Sequence, residues 1–311
     1  MKLNYGILST SSIAPRFIAA VRESGKGNIV ALSSRTLEKA TEKATQWGIP
    51  TAYGSHTELL QDQNVNIVYI SNVNTQHYPW AKAALESGKH VICEKPCTTT
   101  QAQTKELYAL AREKGLFFME AQKMLFLPAI LEAKERLRDL GEITMVTLSH
   151  SFAATYNGWM FDAAAGGGPL LSSGIYAVQL VSWLFGEITD IRGTASKLPT
   201  GVEWQYILTG ETARGVLFTA KNSTRAKLDN TCRIFGERGS IELPNYWKAQ
   251  KVLLNIDGKT EILEFPCQHE LVYEVEHIAD CMEKGLLNSP VITEDLSLQG
   301  IRAIEKVKAG W

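Results

Sequence analysis

The chain has no surplus of either charge. Its 311 residues carry 32 lysines and arginines against 33 acids, a net charge of −1. No basic tail or cluster stands out, so the electrostatic footprint of a nucleic-acid or anionic-membrane binder is missing. Cysteine is scarce and odd in number, five in all. Cys93 and Cys97 lie close together but have no second close pair. That argues against a disulfide framework and against a zinc site, and no metal is expected. No apolar run approaches the ~18 residues of a membrane span. No basic, apolar, small-residue leader precedes the first strand pattern at Leu3. The expectation is a cytoplasmic protein with reduced thiols and no nucleic-acid or membrane partner.

What is present describes a globular protein of two domains. Hydrophobic residues make up 45% and charged residues 21%, and the length exceeds the roughly 250–300 residues at which single cores stop growing. Up to about residue 120, strand and helix patterns alternate. Lys2 to Ser9, Asn28 to Ser34, Val65 to Ser71, the run ending at Glu94 and Leu116 to Glu120 read as strands. Ile13 to Ser24, Thr36 to Trp47, Pro79 to Ser87 and Thr99 to Lys114 read as helices. That alternation predicts a Rossmann-type, doubly wound parallel sheet over residues 1–120. Beyond it, strand-like runs grouped from 187 to 254 and flanked by helices predict an α+β domain over residues 121–311. Its sheet should be large, mostly antiparallel and open.

The most informative stretch is residues 87–96, Ser-Gly-Lys-His-Val-Ile-Cys-Glu-Lys-Pro. A short apolar strand ends abruptly in an acid, a lysine and a proline. Ligands of open α/β sheets bind outside the carboxyl ends of the strands, so Lys95 points at whatever is held there. Asn72 to His77 follows the neighbouring strand and reaches the same edge. A Rossmann first turn normally reads G-x-G-x-x-G. Here it reads Ser9-Thr10-Ser11-Ser12-Ile13-Ala14, with serine at both earlier glycine positions. Backbone N–H groups at a helix N-terminus can still bind phosphate, and the serine hydroxyls can add to them. The second strand ends Ser33-Ser34-Arg35, without the acid that holds a ribose 2′-hydroxyl in NAD sites. Arg35 and Ser34 suit a 2′-phosphate, which favours NADP(H) over NAD(H).

Glu94-Lys95-Pro96 resembles the signature of the glucose-fructose oxidoreductase / inositol dehydrogenase (Gfo/Idh/MocA) family, and within it the branch of the dimeric dihydrodiol dehydrogenases. The resemblance runs almost end to end, through Asn74-Thr75-Gln76-His77, Gly166 to Leu171, Gly174-Ile175-Tyr176 and Tyr273 to His277. It implies a cofactor site formed by Ser9, Thr10, Ser11, Ser12, Ile13, Ser34, Arg35, Asn72, Asn74, His77, Glu94 and Lys95. It also implies a substrate pocket of Lys95, Gln122, Phe152, Ser172 and Tyr176, with Lys95, Tyr176 and His77 as catalytic residues. The family carries an acid at the position of Ser172, and this chain has lost it. Tyr176 lies one helical turn on, so the two share a face.

The resemblance further implies a homodimer formed through the open sheet, for which the alternating Trp204, Tyr206 and Leu208, then Val216 and Phe218, are the apolar content. The expected activity is hydride transfer between NADP(H) and a secondary alcohol or carbonyl of a small cyclic diol, sugar or related substrate. Two alternatives use the same fold: a non-catalytic NADP-binding sensor and a dinucleotide-dependent glycosidase.

Overall fold

The computed structural model describes residues 2–156 and 158–311. They fall into two compact units. One comprises residues 1–122 with His269–Glu294, the other Lys123–Gln268 with Asp295–Trp311.

The first unit is built on a parallel sheet of six strands. In chain order these are β1 (Asn4–Leu8), β2 (Asn28–Ser33), β3 (Thr51–Tyr53), β4 (Ile67–Ile70), β5 (His90–Glu94) and β6 (Phe118–Ala121). The helices are α1 (Ala14–Ser24), α2 (Leu37–Trp47), α3 (His56–Gln61), α4 (Asn74–Glu86) and α5 (Gln101–Lys114). The spatial order β3-β2-β1-β4-β5-β6 reverses between β1 and β4. At such a switch point the loops diverge and leave a crevice at the carboxyl edge. Strand β4 is the β-branched run Ile67-Val68-Tyr69-Ile70, buried on both faces as a central parallel strand requires.

Three features depart from the sequence reading. Helix α4 starts at Asn74 and contains Pro79, instead of starting there. The proline gives up one hydrogen bond near the helix start, a loss the following turns absorb. Asn74 and His77 therefore sit in the first helical turn and not in a loop. The boundary at 120/121 is also incomplete, because the chain returns to the first unit. Its segment His269–Glu294 carries α8 (Val272–Glu283), whose Glu274 is fully buried beside Tyr5. The backbone N–H of Phe118 donates to Leu287 O at 3.0 Å, and Arg16 pairs with Glu270. Finally, one stretch, Ala163–Phe185, is long and apolar enough to span a bilayer, but almost all of it is buried inside the protein. It is a core element.

The second unit is built on an eight-stranded sheet, ordered β14-β13-β12-β11-β7-β10-β9-β8. Its strands are β7 (Ile143–Ser151), β8 (Ile188–Lys197), β9 (Glu203–Thr212), β10 (Leu217–Ser223), β11 (Thr231–Gly236), β12 (Gly239–Pro244), β13 (Lys251–Ile256) and β14 (Lys259–Glu264). Only β7 and β10 pair in parallel. Helices α6 (Pro128–Arg136), α7 (Ile175–Phe185) and α9 (Glu294–Ala309) accompany it. Helix α7 is apolar nearly all round, as a helix enclosed by its own unit must be.

One face of this sheet lies under the helices and the other is open, but not the face the alternation suggested. Tyr206 at 3% exposure and Leu208 at 0% point inward, with Val216 and Phe218, and Trp204 lies under the guanidinium of Arg225 at 4.3 Å. The open face instead carries Ile207 (58% exposed), Leu217 (50%) and Met145 (44%). Leu217 pairs with Met145, and Met145 with Phe235, across adjacent strands. Together they form an apolar ribbon.

The turn after β1 has a measurable consequence. Ser9 has φ 117°, a backbone that glycine adopts freely and an L-residue adopts under strain. The chain thus keeps the conformation of the first Rossmann glycine without the glycine. Ser9→Gly should stabilise the protein by about 1 kcal/mol, strain relief outweighing the added entropy of the unfolded chain. Denaturant unfolding checks this, and an unchanged or lowered midpoint contradicts it.

Candidate active site

The carboxyl edge of the parallel sheet collects most of the residues expected at the cofactor. Helix α1 begins directly after the Ser9–Ile13 turn with no side-chain cap and no acid in its first turn. Its first N–H groups are engaged in the turn, Ala14 with Ser11 O at 3.3 Å and Arg16 with Ile13 O at 3.0 Å, and Pro15 has none. The helix offers an anion the positive end of its dipole, which meets no competing carboxylate. The serines do not cap the helix. Ser11 Oγ donates to Ser71 Oγ at 2.8 Å instead, tying the β1 turn to the end of β4 across the switch point. Ser12 is exposed, while Thr10 and Ile13 are half-buried. Ser34 is buried and Arg35 exposed at the end of β2. Asn72 Oδ1 is buried without a hydrogen-bond partner, an acceptor such a site can use. This set fits a dinucleotide.

Lys95 follows β5 and is half-buried, joined to Pro96 by a cis peptide bond. Burial pushes its ammonium below the ordinary lysine range, and the carboxylates of Glu94 and Glu120 oppose that shift. Both carboxylates are anchored. Glu94 accepts from Tyr69 Oη at 2.6 Å, and Glu120 Oε1 accepts from the Cys97 backbone at 3.0 Å. A lysine with lowered pKa and fixed neighbours is equipped to give or take a proton. Asn74 and Gln122 lie at the same edge but are buried, Gln122 completely.

His77 is not free for catalysis. It is 1% exposed, with Nδ1 at 2.7 Å from Pro96 O and Nε2 at 2.9 Å from Asn72 O. Burial lowers its pKa more than the carbonyl partners and Glu94 raise it. The neutral ring donates to one carbonyl and only packs against the other, so both nitrogens face backbone. Its position ties the Lys95-Pro96 turn to the loop after β4, which makes it a positioning residue.

In the second unit, Tyr176 is half-exposed within a run from 165 to 182 that is otherwise buried throughout. It is no core tyrosine. Ser172, 8% exposed, belongs to a π-helical turn, Leu170–Gly174, that precedes α7. Its hydroxyl donates to Gly168 O at 2.8 Å.

The glycines before it do pass close to bulky groups, but these belong to the same unit. A Cβ on Gly168 (φ 112°) would lie 2.3 Å from Glu203 Oε1, and one on Gly167 would lie 2.4 Å from Met160 O. Glu203 accepts from the Leu170 backbone at 2.9 Å, fixing the start of the helix that bears Tyr176. Phe152 is half-buried, 5.6 Å from the ring of His150, which lies 3.8 Å from that of Trp247. Asn222, on β10 in register with His150 and Tyr206, is 2% exposed with both amide atoms unpartnered. His56, Glu203, His150, Asn222 and Trp247 were not anticipated. The Ser55-x-x-Glu58 capping box marks the helix start next to His56, but no local signal marks the others.

Comparison with known proteins settles the family. Residues 3–122 match the model described as "Oxidoreductase family, NAD-binding Rossmann fold", and residues 130–242 the GFO/IDH/MocA C-terminal domain. The chain belongs to the Gfo/Idh/MocA oxidoreductase family. It is an NAD(P)-dependent oxidoreductase acting on CH–OH groups. The trans-1,2-dihydrobenzene-1,2-diol dehydrogenase of Mus musculus is 32% identical, over 94% of this chain and 92% of its own. That of Oryctolagus cuniculus is 33% identical over 92% of each.

Solved structures of other oxidoreductases share the fold. A 3-ketoreductase from Actinomadura kijaniata, in complex with NADP, superimposes with a TM-score of 0.92 at 22% identity, covering 100% of this chain and 98% of its own. An aldose-aldose oxidoreductase from Caulobacter crescentus gives 0.90 at 26% identity, covering 100% and 97%.

Glu203 makes the anchoring of the Tyr176 helix testable through pH. Burial raises its carboxyl above the ordinary 4.5, while the Leu170 N–H and Lys308 oppose the shift. A carboxyl raised in the folded state contributes stability that is present below the unfolded value and lost as pH rises through the folded one. The stability of Glu203→Gln relative to the native protein should therefore improve as pH rises above 4.5. A difference that stays flat, or moves the other way, contradicts this reading.

Proposed function

We propose that the protein uses NADP(H) to interconvert a secondary alcohol and a carbonyl on a small ring compound, a cyclic diol or a sugar-sized substrate. The observation that carries this reading is Lys95, half-buried at the carboxyl edge with its ammonium destabilised by burial. A bound nicotinamide supplies the hydride acceptor or donor. Lys95 places positive charge where an alkoxide develops, and such a preorganised donor lowers the barrier. Tyr176 carries the proton. A phenol hydroxyl can give or take the proton that accompanies alcohol–carbonyl interconversion. His77 takes no proton and holds the lysine turn in place. The buried amide of Asn222 and the aromatic groups of His150, Phe152 and Trp247 favour a substrate with one flat apolar face and few polar groups. Serine at 172, neutral where the family carries an acid, favours a less hydroxylated or carbonyl-rich substrate. The names of the similar proteins, a dihydrodiol dehydrogenase and a 3-ketoreductase, agree with that class.

A spectrophotometric panel of dihydrodiols, aldoses, polyols and dicarbonyls tests the reading. Lys95→Ala should lose about 100- to 1000-fold in turnover and retain NADPH binding. Turnover within a few-fold of the native enzyme would reduce Lys95 to a strand-end charge.

The preference for NADP(H) rests on Arg35 and the missing acid. Arg35→Ala should weaken NADPH relative to NADH by about 1.5–3 kcal/mol, as for a hydrogen bond to a charged group. Fluorescence titration showing equal affinities in the native protein contradicts this.

The ribbon of Leu217, Met145 and Phe235 supports a homodimer through the open sheet. Sedimentation at micromolar concentration should give a dimer, and Met145→Lys a monomer; a native monomer contradicts it. Five free thiols, four of them buried, suit a reducing, cytoplasmic setting.

A further inference from the structure

Three loops at the carboxyl edge of the parallel sheet are linked by a series of side chains that begins well away from Lys95. His56, in the first turn of α3, is 8% exposed. Its Nδ1 lies 2.8 Å from Ser33 Oγ at the end of β2. Its Nε2 lies 3.3 Å from Asn72 Nδ2, beyond the end of β4. Trp80 meets the ring edge-on, at 4.7 Å between centroids. The Asn72 backbone continues the line, since its carbonyl faces His77 Nε2 while His77 Nδ1 faces Pro96 O. An unbroken series of contacts therefore runs from Ser33, beside Ser34 and Arg35, to Pro96, beside Lys95.

We propose that Ser33, His56, Asn72 and His77 act as a hydrogen-bonded strap that sets the spacing between the phosphate-binding end of the cofactor site and Lys95, with His56 as its central positioning residue. This rests on the function proposed above. The protons are assigned by the partners. An amide nitrogen only donates, so His56 Nε2 accepts from Asn72 and the ring proton sits on Nδ1, donated to Ser33. Such a ring must be neutral. Burial, and after it the charge of Arg35, pushes the His56 pKa down to about 4, which keeps it so. Apart from Arg35, no charged group acts on the ring strongly enough to shift it. Loops are the mobile part of such a site unless tied, and here the tie runs without a gap, buried at its Ser33 and Pro96 ends and half-buried at Asn72. A dinucleotide must meet Arg35 and Lys95 at once, so the distance between their loops decides whether its two ends are held together.

Two measurements test the strap. Nitrogen-15 NMR of the cofactor-free protein should show His56 as the neutral Nδ1–H tautomer from pH 8 down to about pH 5. An Nε2–H tautomer, or titration at an ordinary histidine pKa, overturns the proposal. The second is a double-mutant cycle of His56→Phe and His77→Phe, with His56→Asn as the milder replacement should the phenylalanine variant not fold. Each substitution should weaken NADPH binding or kcat/KM by roughly tenfold, the scale of a lost buried hydrogen bond. Because both interrupt one strap, the double variant should be little worse than the worse single variant. Multiplicative losses mean independent local roles and overturn the proposal. If the native protein shows no NADPH-dependent turnover the functional reading fails, yet the tautomer and the binding cycle still decide the strap.

Discussion

The site depends on one constraint, the reversal of strand order between β1 and β4. Parallel strands bring all their carboxyl ends to a single edge, and the reversal keeps that edge clear of connecting chain. The remaining features are ways of holding polar groups there. Ser9 accepts a backbone suited to glycine, Ser11 is tied to Ser71, and helix α1 opens with no carboxylate in its first turn. Glu94 and Glu120 are bonded in place beside Lys95, so fixed carboxylates oppose the effect of burial on its charge.

The second unit solves a different problem, which is to fix one tyrosine on an otherwise enclosed helix. A buried carboxylate, Glu203, is pressed against Gly168 and bonded to the Leu170 backbone. That bond satisfies an N–H at the start of the helical segment and sets its direction. Tyr176, one turn further along, has the exposure its neighbours lack. Ionisation of Glu203 is disfavoured by burial, so this anchoring works against stability near neutral pH. Such a cost is common where a site must be held in one geometry.

Much of this was legible in the residues, and the limits are physical. The β-branched run at 67–70 and the Glu94-Lys95-Pro96 ending identify strands and their carboxyl edge without further information. The loss of both early glycines obscured the first turn, because backbone conformation is not written in side-chain type. Pro79 misplaced the start of α4, since proline is tolerated both at a helix start and one turn in. Alternation along β9 distinguishes two faces but does not say which one the helices cover, so Tyr206 and Leu208 were assigned to the wrong side. Glu203 and His56 act through partners far away in sequence, and Asn222 is buried with no local signal to mark it. The loop histidine expected at 77 was found with both ring nitrogens facing backbone carbonyls, which changes its role from catalysis to positioning.

The central claim is that the protein transfers hydride between the nicotinamide and a substrate carbon. The most direct measurement uses NADPH carrying deuterium on either face of nicotinamide C4, with mass spectrometry of the alcohol formed from a cyclic carbonyl substrate. The account predicts one deuterium on the carbinol carbon from one labelled face and none from the other. Binding of the labelled cofactor with no transfer would make the protein a sensor. Cleavage of a glycoside with the label retained in the cofactor would make it a glycosidase. Either result would contradict the account.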